Sequence, residues 1–283
     1  MAPAAGLGAR VGEPARLRET ALALLVFALL CASTGAGFFV RPRLPEHHRV
    51  RETTELMHVT IGLLATFAAL VLGLLTASVK QAYDGSAHDR QAYSLRLVLL
   101  DQCLRDYGPE TAAARGQIHS YTAAVIASTW PDEPPPTGVQ YPDTSHMPRV
   151  GASPVLASLM DRIGVEIARL KPSDSVQQEL EAICLNRYHD AANARLSVIE
   201  DARNELFEPF YQVLVFWLMI IFGCFGLVAP RNSLSATTII LCAVSLSSGI
   251  FVILDLSTPY EGFFSIPSTT MRSALATMLA PGQ

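Results

Sequence analysis

The sequence predicts an all-α membrane protein: four transmembrane helices, with a helical cytoplasmic domain inserted between the second and the third. Three observations carry this expectation. The 283-residue chain is 50% apolar and only 16% charged, against about 25% charged residues in a soluble domain. It contains four stretches without Lys, Arg, Asp or Glu, namely Ala21 to Val40, Val59 to Val79, Phe210 to Ala229 and Leu234 to Leu254, each 20 or 21 residues long. As a helix, such a stretch rises roughly 30 Å, the thickness of a bilayer's hydrocarbon core. Finally, the missing charge is concentrated elsewhere: 12 of the 21 Lys/Arg and 18 of the 25 Asp/Glu lie between Lys80 and Glu208. These facts exclude a water-soluble monomer and the collagen-like, disordered and disulfide-scaffold classes.

Taken in order, residues 1–20 form an N-terminal cytoplasmic tail and 21–40 the first span. Arg16 and Arg18 ahead of Ala21–Leu30 look like the start of a signal peptide, with small residues from Ala32 to Ala36 for cleavage. The apolar run continues through Phe38, Phe39 and Val40, however, and Leu30 stands where a lipoprotein site at Cys31 needs a small residue, so a retained span is favoured. An external loop (41–58) leads to the second span (59–79). From Lys80 to Tyr107 there is no proline, and Leu95 to Leu100 with Leu104 supply apolar faces; Gly108-Pro109 stops this helix, and Pro109 opens the next, to about Trp130. Prolines at 131, 134–136, 142 and 148 make an irregular loop. A helix from about Pro154 to Leu170 follows, then one from Ser175, capped with Gln178, to Glu208. Its residues Val176, Leu180, Ile183, Ala191, Ala194 and Val198 step by threes and fours around a break at Arg187, a helical seam. Residues 209–229 form the third span, 230–233 a short external loop, 234–254 the fourth span and 255–283 a C-terminal cytoplasmic tail. No internal repeat is visible.

The net charge of −4 offers no basic field for nucleic acid. Of the five cysteines, Cys31, Cys224 and Cys242 lie in spans and none sits at CxxC spacing, so neither a disulfide framework nor an oxidising compartment is expected. With four passes, both termini and the 80–208 segment share one side. Near the spans that side carries Arg10, Arg16, Arg18, Lys80, Arg90, Arg96, Arg195, Arg203 and Arg272, against Arg41, Arg43, Arg49, Arg51 and Arg231 opposite. Positive charges favour the cytoplasm, which places the termini and the middle domain there.

The second span has the most functional content. Gly62, Thr66, Ala69, Gly73 and Ala77 recur at spacings of three and four, so one helix face is built of small residues. Such a face serves close helix packing or lines a pore that bulky side chains would block; spacing leaves both open. The fourth span has a similar stripe through Thr238, Cys242, Ser245 and Gly249, read as a packing surface. No charged residue lies deep in a span, which argues against a transporter that uses intramembrane carboxylates. Asp255 just beyond the fourth span is a candidate ion contact, although a helix-end carboxylate is more often simply solvated. Glu46-His47-His48 on an irregular loop lack a third ligand for a metal, and His88, His119, His146 and His189 read as ordinary surface or core residues. Without a nucleophile elbow, zinc-protease helix, phosphate loop or calcium loop, no enzyme, cofactor or metal centre is expected.

Several blocks resemble a bacterial membrane family known as bestrophin-like: Arg43-Leu-Pro-Glu-His-His48, Gly62 through Lys80, Val215-Phe-Trp-Leu218, Phe225-Gly-Leu-Val-Ala-Pro-Arg-Asn232 and Asp255-Leu-Ser-Thr-Pro-Tyr-Glu-Gly262. The family usually reads Glu-Leu-Asp before that proline, where this chain has Asp255-Leu256-Ser257. The segment Gln81-Ala-Tyr-Asp84 with Arg90 is similar to the pattern that ends the second span of true bestrophins. Bestrophins are pentameric ion channels whose second span lines an apolar neck at four-residue spacing. The resemblance implies a neck near Gly62, Thr66 and Leu70 when the family's tyrosine is set on Tyr83, with Gly73 on the same face. It implies a homo-oligomer, pentameric in the bestrophins, in a bacterial inner membrane, with the lipid bilayer and small inorganic ions as partners. The alternative is a membrane-anchored scaffold or sensor whose helical domain uses the seam from Val176 to Val198 to bind a protein.

Overall fold

The computed structural model describes residues 13–43, 51–150, 153–201 and 208–280. Among the described residues eight α-helices form: α1 (Glu13–Val40), α2 (Arg51–Tyr107), α3 (Ala112–Thr129), α4 (Pro154–Ala168), α5 (Ser175–Asp201), α6 (Glu208–Val228), α7 (Ser233–Leu256) and α8 (Thr269–Leu279). Among the described residues there is no strand. α1, α2, α6 and α7 are each long and apolar enough to cross a membrane. Glu46-His47-His48 lie outside the described residues. The second apolar run does not end as a separate element. α2 continues without a break for 57 residues, about 85 Å of helix, because nothing between Val79 and Tyr107 interrupts helical backbone. The stop comes at Gly108, whose φ of +137° is a conformation that favours glycine, followed by a single 3-10 turn at Pro109–Thr111.

The chain divides into two compact units. In the membrane unit the four spans share one apolar cluster: Val26 and Leu30 of α1; Ile61, Ala68, Leu75 and Val79 of α2; Leu214, Leu218 and Phe222 of α6; Ala243, Ile250 and Ile253 of α7. The closest approach joins α1 to α6. A Cβ built on Gly37 would lie 2.3 Å from the Gly223 carbonyl oxygen, and one on Gly226 2.1 Å from that of Thr34. Backbone therefore rests on backbone, as small residues permit in a bilayer. Ser33 donates to the Met219 carbonyl across this seam. At the helix ends, Arg41 donates to the carbonyl of Ala229 and Arg231 to that of Phe38, so two of the loop arginines satisfy orphan C-terminal carbonyls.

The helical unit is built from the second half of α2, α3 to α5 and the segment after α7. Tyr93, Leu97, Leu100 and Leu104 pack with Ile118 and Ile126 of α3, Leu156, Met160 and Ile163 of α4, and Ala191, Ala194 and Val198 of α5. The segment expected as a tail folds into this core instead. Met271, Leu275 and Met278 of α8 join the cluster, and the Trp130 indole donates to the Ile266 carbonyl at 2.8 Å. Arg272 fastens the same segment to the proline-rich loop, donating to Glu133 at 3.0 Å and to the Pro134 carbonyl at 2.8 Å. The cap of α5 also differs from expectation by one residue. Asp174, not Ser175, accepts from the Gln177 amide, and the Gln177 side chain reaches back to the Ser173 amide, 2.8 Å each. Aspartate is a strong N-cap, and Gln177 at the third helical position resembles the capping-box glutamine but bonds the amide one residue before the cap.

One expectation is overturned outright. Cys103 of α2 and Cys184 of α5, 81 residues apart, are joined by a disulfide, whereas Cys31, Cys224 and Cys242 are free. No CxxC pattern announces it, because the two cysteines meet through helix packing and not through local spacing.

Candidate functional site

The second-span face can now be placed. The side of α2 turned into the membrane unit carries Ile61, Ala68, Leu75 and Val79. Gly62, Thr66, Ala69, Gly73 and Ala77 are all exposed in the single chain. At 100° per residue they form a stripe on roughly the opposite side of the helix from the buried row. A Cβ on Gly62 or Gly73 would meet nothing within 4 Å. The small residues therefore do not serve packing inside this chain. Leu70 is exposed at the edge of the stripe, where it gives way to a bulky exposed row of Leu63, Phe67 and Leu74; the Phe67 ring is tilted against Trp217 of α6, with centroids 6.4 Å apart. The Thr66 hydroxyl donates to the Gly62 carbonyl at 2.9 Å, which leaves a hydroxyl oxygen on an otherwise apolar face. On α7 the expected packing stripe is likewise uncovered: Thr238, Cys242 and Ser245 are exposed, while Ala243, Ser247, Ile250 and Ile253 carry the contacts.

Asp255, in the last turn of α7, is 0% exposed, so it is not the solvated helix-end carboxylate that its position suggested. The α5 seam divides. Ala191, Ala194 and Val198 face the core, joined by Cys184 instead of Ile183, while Val176 and Ile183 point outward.

Two polar constellations in the helical unit have no local sequence signature. Arg90 is 2% exposed, with its guanidinium 5.2 Å from the Trp130 ring and 4.8 Å from the Tyr260 ring, and Nε donates to the Tyr260 hydroxyl at 3.4 Å. Nη2 is buried without a hydrogen-bond partner among the described residues, so the aromatic faces stabilise this charge in place of a carboxylate. Close by in sequence, the Tyr93 and Tyr121 hydroxyls share a hydrogen bond. Burial first, and then Tyr121, push the Tyr93 hydroxyl well above its ordinary value, so it stays protonated. The second constellation is centred on Asp101, 1% exposed. It accepts from His119 at 2.9 Å, from Arg115 at 3.0 and 3.3 Å, and from Arg105 at 3.3 Å. Burial pushes its carboxyl upward, but the His119 and Arg115 donors outweigh that and hold it below its ordinary value. No grouping of three or more potential metal ligands exists among the described residues.

A family profile described as the bestrophin-like domain matches residues 26–271. No curated protein matches the chain significantly. Among solved structures, the fold is similar to a crystal structure of a membrane protein bearing a proline-to-alanine substitution, at a TM-score of 0.65 and 12% identity, covering 91% of this chain and 97% of that one. It is also similar to a bacterial bestrophin homologue from Klebsiella pneumoniae bearing a tryptophan-to-phenylalanine substitution, at a TM-score of 0.61 and 12% identity, covering 89% and 97%. The four spans, the helical unit and a profile match over most of the chain converge: this protein belongs to the bestrophin-like family.

Proposed function

We propose that the chain is one subunit of a homo-oligomeric, passive ion channel in a bacterial inner membrane, with α2 helices around the axis and no enzymatic role. The observation that carries this is the uncovered small-residue face of α2. A chain with four spans has enough apolar surface to bury glycines and threonine if close packing were their use, yet Gly62, Thr66 and Gly73 stay open while Ile61, Ala68, Leu75 and Val79 are covered. Ringed around an axis, that face leaves room for an ion, and its bulky flank of Leu63, Phe67 and Leu74 suits a neighbouring copy or lipid. Gly62, Thr66, Leu70 and Gly73 are the pore-lining residues of this reading, pentameric if the assembly follows the bestrophins, and the buried Asp255 is its candidate ion contact. The charge count in the loops supports cytoplasmic termini and a cytoplasmic helical unit. With 18 acidic against 12 basic residues between Lys80 and Glu208, that vestibule concentrates cations and repels anions.

Flux into liposomes, with K⁺ and Cl⁻ gradients imposed separately, tests the reading. Cation flux is expected, and Thr66→Trp or Leu70→Trp should reduce it at least tenfold by filling the neck. Unchanged flux in both variants removes the neck assignment. A well-folded oligomer without flux favours the alternative, a membrane-anchored scaffold or sensor, for which the outward Val176 and Ile183 of α5 are the docking residues.

A further inference from the structure

We propose that Cys103 and Cys184 are a reversible redox lock that fastens α5 to the end of α2. This goes beyond the channel reading and rests on one part of it, the cytoplasmic placement of the helical unit. Disulfides in a cytoplasm are kept reduced unless they are transient or redox-sensing, so a pair at bonding distance there cycles.

The site provides for both states. The Cα atoms are 5.6 Å apart, ordinary for a bond that forms without moving backbone. With the bond formed, Cys103 Sγ lies 3.8 Å from the Leu180 carbonyl, so a Cys103 thiol at the same place has an acceptor in reach, and each reduced cysteine packs as a small apolar residue. Cys103 is 8% exposed and Cys184 0%, which assigns their order of reaction. The Cys103 thiolate attacks a sulfur of a low-molecular-weight disulfide and expels one small thiolate. The Cys184 thiolate then attacks Cys103 Sγ and expels the second. The protein dithiol is thereby oxidised by two electrons, the small disulfide is reduced to two thiols, and the protons of the two cysteines end on those thiols.

The consequence lies in what else holds α5. Ala191, Ala194 and Val198 are buried in the core and Leu185, Tyr188 and Ala192 pack half-buried against it, so the bond adds a covalent tie to a helix that is otherwise held by side-chain packing. Cys103 stands four residues before the end of α2, the same continuous helix that carries Gly62, Thr66, Leu70 and Gly73. Oxidation thus ties α5 to the far end of the candidate pore helix, and reduction frees it.

The test uses the full chain with Cys31, Cys224 and Cys242 replaced by Ala, in detergent, equilibrated with mixtures of reduced and oxidised glutathione. The fraction oxidised is read as a gel shift after acid quenching and alkylation with a maleimide polymer. The pair is expected to pass from thiol to disulfide within the glutathione ratios a cytoplasm spans, and proteolysis around Pro172, just before α5, to be several-fold faster in the thiol state. Cys103→Ser and Cys184→Ser should show that faster cleavage under oxidant. A pair that stays oxidised at the most reducing ratio, that never oxidises, or that leaves cleavage unchanged overturns the lock. In cells, the same alkylation should find thiols at rest, disulfide after an oxidant pulse, and thiols again on recovery. Phosphatase and fluorescent-protein fusions after Gln283 read the orientation independently. A permanently oxidised pair outside the cytoplasm therefore identifies the failing premise as placement, and one inside it as the chemistry. Absence of ion flux bears on the channel reading alone.

Discussion

Replacing Asp101 by alanine should destabilise the helical unit by about 3–5 kcal/mol, the cost of breaking a buried charge network by removing one side of it. Asp101 receives donors from its own helix through Arg105 and from α3 through Arg115 and His119. Arg105 also donates to the Met278 carbonyl at 3.2 Å, so the same hub reaches α8. Without the carboxylate, partly buried guanidinium groups lose their counter-charge where water cannot fully replace it. Urea unfolding in detergent checks this, read by Trp130 emission in a Trp217→Phe background, since the chain has only these two tryptophans. Asp132→Ala is the control. Its pair with Arg149 involves a carboxylate that is 43% exposed, and such pairs contribute about 0–1 kcal/mol. The network also sets an acid limit. Because the folded-state pKa of Asp101 lies below its ordinary 3.8, its contribution is complete above that value and disappears as the pH falls through the lower, folded value. Wild-type stability should therefore fall below about pH 4 more steeply than that of Asp101→Asn. Equal slopes would show that Asp101 is not linked to folding.

How much of this could be read from the sequence depends on how local each cause is. The four uncharged runs became α1, α2, α6 and α7 because a 20-residue apolar helix is specified by its own composition. The break after Tyr107 and the start at Pro154 were equally legible, since glycine and proline act on their own backbone. Other features needed contacts that no window contains. Asp101 meets Arg115 and His119 across a turn, Arg90 meets Tyr260 across 170 residues, and Cys103 meets Cys184 across 81. α8 was legible in principle: Met271, Ala274, Leu275 and Met278 have helical spacing, but 11 residues make a weak signal beside a 20-residue span. For the second-span face, spacing alone favours close packing over a pore, and only the family resemblance brings the two level. The structure shows that face uncovered in the chain, with the backbone-level packing on Gly37, Gly223 and Gly226 of other spans.

That division of labour among glycines predicts opposite signs for one substitution. Gly226→Ala should destabilise the membrane unit by about 3 kcal/mol, the upper part of the usual overpacking range. The new methyl would stand 2.1 Å from the Thr34 carbonyl oxygen and 2.9 Å from Gly37 Cα. Both obstacles are backbone, so no rotamer change relieves them and α1 must move away from α6, weakening the Ser33 bond to Met219 as it goes. Gly223→Ala is the graded case: its nearest obstacle is the Ser33 hydroxyl at 3.2 Å, a side chain that can turn, so a loss of about 1 kcal/mol is expected. Gly73→Ala meets nothing within 4 Å and should stabilise the helix by up to about 1 kcal/mol through propensity alone. Thermal unfolding in detergent, with oligomer size followed in parallel, orders the three. A Gly73→Ala variant that instead loses stability or assembly would show that another copy covers the α2 stripe closely, making it a packing face between subunits and not the wall of a pore.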